Sequence, residues 1–352
     1  MSSQANLGVP DAPLGVSPAP PFMAELGGRR GWRTLVERRE AAIFVVALLL
    51  FLFFAIDNGN FVSYDNFVNL TQFLAPIAVI GGGEVLLLTC GEVDLSLGTV
   101  FIFFPFMTYF LWVNFGIPLG IAIALSVVGA AMFGFVNGFV TTFFNVPSFV
   151  TTLGTLFALW GVTLLSSGGV QETMTANGLG GDILGNYSWS EIFWALGMIL
   201  LVYVVLHRTR FGMHIVATGG NLLGAAESGI PVKRVKIYCF MFASAMAAII
   251  GIIDSVRITT LDPGNDGTQE MFYAISAAVI GGTALTGGRG TAIGVALGAI
   301  VLGVLNVGFN IVGLSAYTFQ LILGIAIVAS MIVNSQFQRA AMSRLGRRRL
   351  NL

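Results

Sequence analysis

The chain has 352 residues, of which 56% are hydrophobic and 10% charged, and its mean hydropathy is +0.87. Soluble domains carry about 25% charged residues, so a water-soluble globule is excluded and an all-α polytopic integral membrane protein remains, because long apolar stretches recur along the chain. The 17 basic and 17 acidic residues cancel, which removes any bulk electrostatic case for nucleic acid.

Residues 1–40 are polar and proline-rich (Pro10, Pro13, Pro18, Pro20, Pro21), then basic (Arg29, Arg30, Arg33, Arg38, Arg39). This is the composition of a disordered cytoplasmic tail ahead of a first span. A cleaved signal peptide fits poorly, since the region before the apolar run is long and no small-residue cleavage site follows Phe54. Apolar segments able to cross about 30 Å of hydrocarbon fall near 41–57, 72–90, 95–113, 119–142, 147–167, 192–206, 237–256, 271–288, 292–311 and 315–334. They define about ten transmembrane helices in a single membrane domain at 41–334, followed by a basic cytoplasmic tail at 335–352.

Charge placement tests that number. With the N-terminus inside, ten spans put 16 of the 17 basic residues on the cytoplasmic side, and only Arg257 falls outside. The outer loops carry Asp65, Glu172, Asp182, Asp262 and Asp266 instead. Nine or eleven spans would leave one basic end outside. The segment 168–190 is then a long outer loop, and 207–236 is the one substantial inner loop. Ala78–Gly82 recurs as Ala278–Gly282 (AVIGG), which is compatible with two related halves. Cys90 and Cys239 lie in or beside apolar runs, so a disulfide scaffold is not expected.

The inner loop carries the most specific local signal. Asn221 is a good helix N-cap, Leu222–Ser228 can form two turns, Gly229 suits a left-handed C-terminal residue, and Pro231 forbids continuation. So short a helix is marginal alone. It is either a capped connector or an element held by the bundle or by a cytoplasmic partner, and Gly224, Ala225 and Ala226 permit close approach.

GEVDLSLG, Gly91–Gly98, follows the second span. Asp94 could cap the next helix, with Ser96 in its first turn; alternatively Glu92 and Asp94 line a polar path, since carboxylates at membrane depth usually face a cavity. Glu84, within GGGEVLLL, is either a buried hydrogen-bonded acid or a ligand for substrate or a proton. Candidate pathway residues are therefore Glu84, Glu92, Asp94 and Ser96, with Asn137, Phe149 and Thr151. Gly134 with Gly138, and the ladder Gly290, Gly294 and Gly298, suit close helix packing.

No catalytic constellation emerges. GGTALTGGRG lacks the lysine and hydroxyl of a phosphate loop, no GxxxxGK[ST] occurs, His207 and His214 have the wrong spacing for HExxH, and GxSxG is absent. The chain has no ATPase motif and calls for no cofactor of its own.

GEVDLSLG, VPSFVTTLGT (Val146–Thr155), the Arg208–Lys236 stretch containing GGNLLGAAESGI, and AISAAVIGGTALTGGRGTAIG (Ala274–Gly294) together resemble the membrane permeases of bacterial ABC sugar importers of the ribose/xylose/arabinose type. The likeness spans about 41–334. It implies a half-transporter in the bacterial cytoplasmic (inner) membrane, with both termini cytoplasmic, importing a monosaccharide or polyol. The implied partners are a second permease subunit, as a homodimer or a pair of relatives, two cytoplasmic ABC ATPase domains holding ATP and Mg, and a periplasmic or lipid-anchored sugar-binding protein. Asn221, Leu222, Gly224, Ala225, Ala226, Glu227, Ser228, Gly229 and Ile230 would form the ATPase-coupling helix. Cys90 and Glu92 depart from the family pattern, and both tails are extra. The rival reading is a stand-alone ion-coupled secondary transporter.

Overall fold

A computed structural model describes residues 39–315, 317–325, 328 and 329. The basic tails expected at 1–40 and 335–352 lie almost wholly outside the described residues. The helices are α1 (Arg39–Asp57), α2 (Tyr64–Thr89), α3 (Leu97–Tyr109, widening into a π turn at Phe110–Asn114), α4 (Leu119–Phe143), α5 (Ser148–Ser167) and α6 (Ser190–Arg208). They continue as α7 (Arg210–Gly220), α8 (Leu222–Glu227), α9 (Val232–Ile258), α10 (Thr268–Ile280) and α11 (Ala292–Val312). Residues 317–325 are also helical. Among the described residues the only β pairing is an isolated antiparallel bridge, Glu172 with Leu261.

Among the described residues eight helices are long and apolar enough to cross a membrane: α1, α2, α3 with its π turn, α4, α5, α6, α9 and α11. Each of the ten expected apolar segments contains a described helix, but the two largest boundary differences have clear reasons. The second helix begins at Tyr64 rather than near 72, capped by the Ser63 hydroxyl, which accepts from Asn66 N at 3.4 Å. Its first turns carry Asn66, Asn69 and Gln72, which hide a helix from an apolarity criterion. The eighth helix, expected at 271–288, closes at Ile280. Gly282, Gly287 and Gly288 have φ of +86°, +87° and +78°, a backbone that ends helices. At 1.5 Å per residue α10 reaches about 20 Å, short of a full crossing. The tenth segment is described only in part.

The bundle is built around α2, α9 and α11. Of their apolar windows 83%, 72% and 67% are buried, against 11% for α1, which places α1 at the periphery with Phe44, Leu49 and Phe53 exposed. Glycine lets these helices meet. A Cβ on Gly138 would stand 2.8 Å from Ile237 Cα, and one on Gly134 would run into the Phe240 backbone, so α4 and α9 touch main chain to main chain as the spacing foretold. Gly294 and Gly298 likewise pack α11 onto Gly281 and Ala277, whereas Gly290 sits before the helix against Val85 of α2.

Two connections fold back into the bundle from opposite ends. The loop 90–96, at the end carrying Lys233, Arg234 and Lys236, returns along α2 far enough for Asp94 N to reach Glu84. The loop 259–267, from the other end, returns to the start of α3, where Thr99 Oγ1 donates to Asp266 O at 2.9 Å. Gly98 and Gly267 meet backbone to backbone there, and Gly267 has φ +70°. The left-handed conformation alone makes Gly267→Ala cost about 1–2 kcal/mol, and the new methyl would also strike Gly98. A thermal melt of the detergent-solubilised full chain should show a clearly lowered midpoint. An unchanged midpoint would mean that the two loops do not abut.

Candidate functional site

At the basic end, α7 is capped by Thr209, whose hydroxyl accepts from Gly212 N at 3.2 Å. The chain then breaks at Asn221 (φ −156°, ψ 97°), whose Oδ1 accepts from Gly224 N at 3.0 Å and starts α8. Ser228 N, Gly229 N and Ile230 N donate back to Gly224, Ala226 and Ala225 carbonyls at 3.0, 3.0 and 3.1 Å, and Gly229 sits at φ +81°. This C-terminal closure requires a residue without a Cβ penalty. Ala225 is buried, whereas Leu222 and Leu223 are 51% and 70% exposed, and Ala226, Glu227 and Ser228 are exposed beside them. Among the described residues nothing covers the two leucines of this six-residue helix. Its root is not loose: Gly219 lies against the Thr89 carbonyl and the Gly288 backbone, and Gly288 N donates to Thr89 O at 2.8 Å.

The carboxylates sort into two groups. Glu84, Asp94, Ser96 and Asn137 come together, although α2, the folded-back loop and α4 supply them separately. Asp94 Oδ1 accepts from Ser96 N at 2.9 Å and from Ser96 Oγ at 2.5 Å. Asn137 Nδ2 donates to Ser96 Oγ at 2.9 Å and reaches Asp94 Oδ2 at 3.4 Å. Glu84 Oε1 accepts from Asp94 N at 3.3 Å. Asp94 thus makes an Asx turn leading into α3 rather than capping it directly. All four residues are buried. Among the described residues Glu84 Oε2 and Asn137 Oδ1 have no hydrogen-bond partner, so the cluster is tight around Asp94 and open around Glu84.

Glu92 does not join them. It forms an ion pair with Lys236 in the second turn of α9, tying the loop to the chain that leaves α8. Phe149 is 54% exposed and faces out of the bundle, and Thr151 is buried without a hydrogen bond to the cluster. The α5 residues that do engage the loop are Ser148 and Thr152, whose hydroxyls accept from Val93 N at 3.2 Å and Leu95 N at 3.1 Å. Sequence reading passed over these two; their place at the start of the VPSFVTT helix, beside the segment containing Asp94, was the available signal.

The opposite end holds an ion network that the sequence reading also left unassigned. Arg257 Nε lies 2.8 Å from Glu191 Oε2 and its guanidinium pairs with Asp254. Arg257 Nη1 also donates to Gln72 Oε1 at 3.4 Å. The one basic residue out of place by charge pattern is therefore neutralised by two carboxylates of α6 and α9.

Residues 66–331 match the protein family described as "Branched-chain amino acid transport system / permease component". The chain belongs to this family of transport permeases. It is 37% identical to the xylose/arabinose import permease protein XylH of Sulfolobus acidocaldarius, over 87% of this chain and 88% of the relative. It is 33% identical to the probable ABC transporter permease protein YphD of Escherichia coli, over 84% and 89%, and 29% identical to the ribose import permease protein RbsC of the same species, over 89% and 98%. No solved structure matches it. Membership makes the chain a transport component of ABC-permease type and accords with its membrane-spanning helices.

Proposed function

We propose that this chain is the transmembrane subunit of an ATP-driven importer for a monosaccharide or polyol. The solute class follows the named relatives, two of which are a xylose/arabinose and a ribose import permease. The chain would sit in the cytoplasmic membrane with its basic end inward and pair with a second permease. Two ABC ATPase domains, which hold the ATP and Mg, would seat on that end, and an extracytoplasmic binding protein would deliver solute to the other.

The observation that carries this reading is α8: a short, fully capped helix with Leu222 and Leu223 exposed, whose preceding Gly219 is seated on Thr89 at the end of α2 and on Gly288 in the connection between α10 and α11. Pressure on α8 passes through Lys236 to Glu92 and so to the loop 90–96. From there hydrogen bonds lead to Glu84, Asn137 and Thr152 in three different helices. In this account Glu84, Asp94, Ser96 and Asn137 latch the folded-back loop, and alternating access follows when ATPase closure biases that latch between two packings.

A photo-crosslinking residue in place of Leu223, activated in native membranes holding the full chain, should yield an adduct with an ABC ATPase identifiable by mass spectrometry. Adducts with lipid alone would contradict the seating. Breaking the link downstream should separate hydrolysis from import: Lys236→Gln is expected to leave ATPase activity in the complex while solute uptake falls by about tenfold, the equivalent of 1.4 kcal/mol. Equal loss of both activities would argue against the relay.

A further inference from the structure

At the end opposite α8 a cavity of about 360 Å³ opens between α2, α9 and α11. Asn66, Asn69 and Gln72 line it from one face of α2, Asn306 and Asn310 from successive turns of α11, and Arg257 from the end of α9. These five amides converge on one opening from two helices that are otherwise apolar, with Asn69 and Asn310 exposed and the other three partly buried.

Part of their capacity is accounted for. Asn66 Nδ2 donates to Asn60 O at 2.7 Å, Asn310 Nδ2 to Asn306 Oδ1 at 3.3 Å, and Gln72 Nε2 to Ser188 O at 3.4 Å. Among the described residues the Asn69 side chain makes no hydrogen bond, and neither Asn306 Nδ2 nor the Oδ1 atoms of Asn66 and Asn310 is engaged. Donors and acceptors both remain, and an amide offers each kind.

The site's charge narrows the ligand class. Arg257 is already paired with Glu191 and Asp254, so the cavity presents no free charge to attract an anion. Phe73 adds a half-buried ring, and Val307 and Ile311 add apolar wall. Alternating donors and acceptors beside an aromatic face suit hydroxyls beside C–H groups. The volume is at the small end of the ~300–1,000 Å³ range of small-molecule sites. Two other cavities fit less well: the one along α6 and α9 is walled by Phe193, Trp194 and Met246, and the one beside α8 by Lys233 and Arg234.

We propose that this amide-lined cavity binds a neutral polyhydroxylated solute of monosaccharide size, the first site that solute meets on the permease. The inference rests on the importer reading and adds the place of entry. The test uses the full chain in lipid nanodiscs with Ile311→Cys and, separately, Val307→Cys, which keep every amide of the cavity, labelled by a maleimide; native Cys90 and Cys239 are buried. D-xylose, D-arabinose, D-ribose and myo-inositol are supplied in turn, with L-leucine and sodium acetate as comparators.

At least one of the neutral polyols should slow labelling at both positions, following 1 + [L]/Kd and reaching about tenfold near saturation. The comparators should not slow it, and labelling of Asn177→Cys, on the exposed segment, should be indifferent to all of them. Equal labelling with and without every polyol, or slowing by L-leucine or acetate instead, overturns the inference. Uptake by the unsubstituted chain with its ATPase and binding protein is measured in parallel in proteoliposomes. If that uptake occurs without protection, only the cavity assignment falls; if uptake itself is absent, the importer reading falls.

Discussion

Arg257→Ala is expected to lower the stability of the bundle by about 3–5 kcal/mol, the cost of stripping a buried ion pair of one partner. Glu191 is 1% exposed and lies 2.8 Å from the Arg257 Nε, with Asp254 on the other side of the same guanidinium. Removing the cation leaves two carboxylates facing each other at the junction of α6 and α9. Thermal unfolding of the full chain in detergent should show a large drop in midpoint. Adding Glu191→Gln and Asp254→Asn to Arg257→Ala should recover much of it, because the repulsion and the unpaired charges are then gone. A loss below about 1 kcal/mol, as for an exposed pair, would show that the network is solvated rather than structural.

The second large effect is expected at α8. Leu223 is 70% exposed on a helix whose caps hold its shape. Leu223→Asp should leave folding untouched and weaken ATPase association by 2 kcal/mol or more, about thirtyfold, as for a central anchor of an interface. Gly229→Pro acts differently: proline cannot adopt φ +81°, so the closure of α8 is lost and coupling with it. Titration of the ATPase onto nanodisc-held permease measures the first, and the ratio of transport to hydrolysis measures the second. Wild-type affinity in the aspartate variant would mean that α8 is a connector and nothing more.

These expectations show where the sequence was readable. The caps of α8 were legible because Asn221, Gly229 and Pro231 act within a few residues of one another, and local chemistry settles local geometry. The long apolar helices were legible from length alone. The start of α2 was not, because Asn66, Asn69 and Gln72 give its first turns a polar face, the same face that lines the cavity. Nor was the end of α10, because the apolar character of residues 277–286 continues past the point where glycine backbone geometry stops the helix.

The candidate site was half legible. Carboxylates in an apolar chain advertise themselves, so Glu84, Glu92 and Asp94 stood out, but their partners are 43 residues away for Asp94 with Asn137 and 144 for Glu92 with Lys236. Residue type alone could not separate the buried cluster from the ion pair at the basic end. Likewise Arg257 looked like an exception to the charge pattern until the fold placed Glu191 beside it.

The most direct measurement of the whole account is solute accumulation in proteoliposomes holding the full chain, with and without the ATPase subunits and the binding protein. Radiolabelled D-xylose or D-ribose should enter only when all components and ATP are present, and proton or sodium gradients imposed on the chain alone should drive none. Concentrative uptake by the chain alone on an ion gradient would contradict the account and make Glu84 or Asp94 an ion-coupling residue instead.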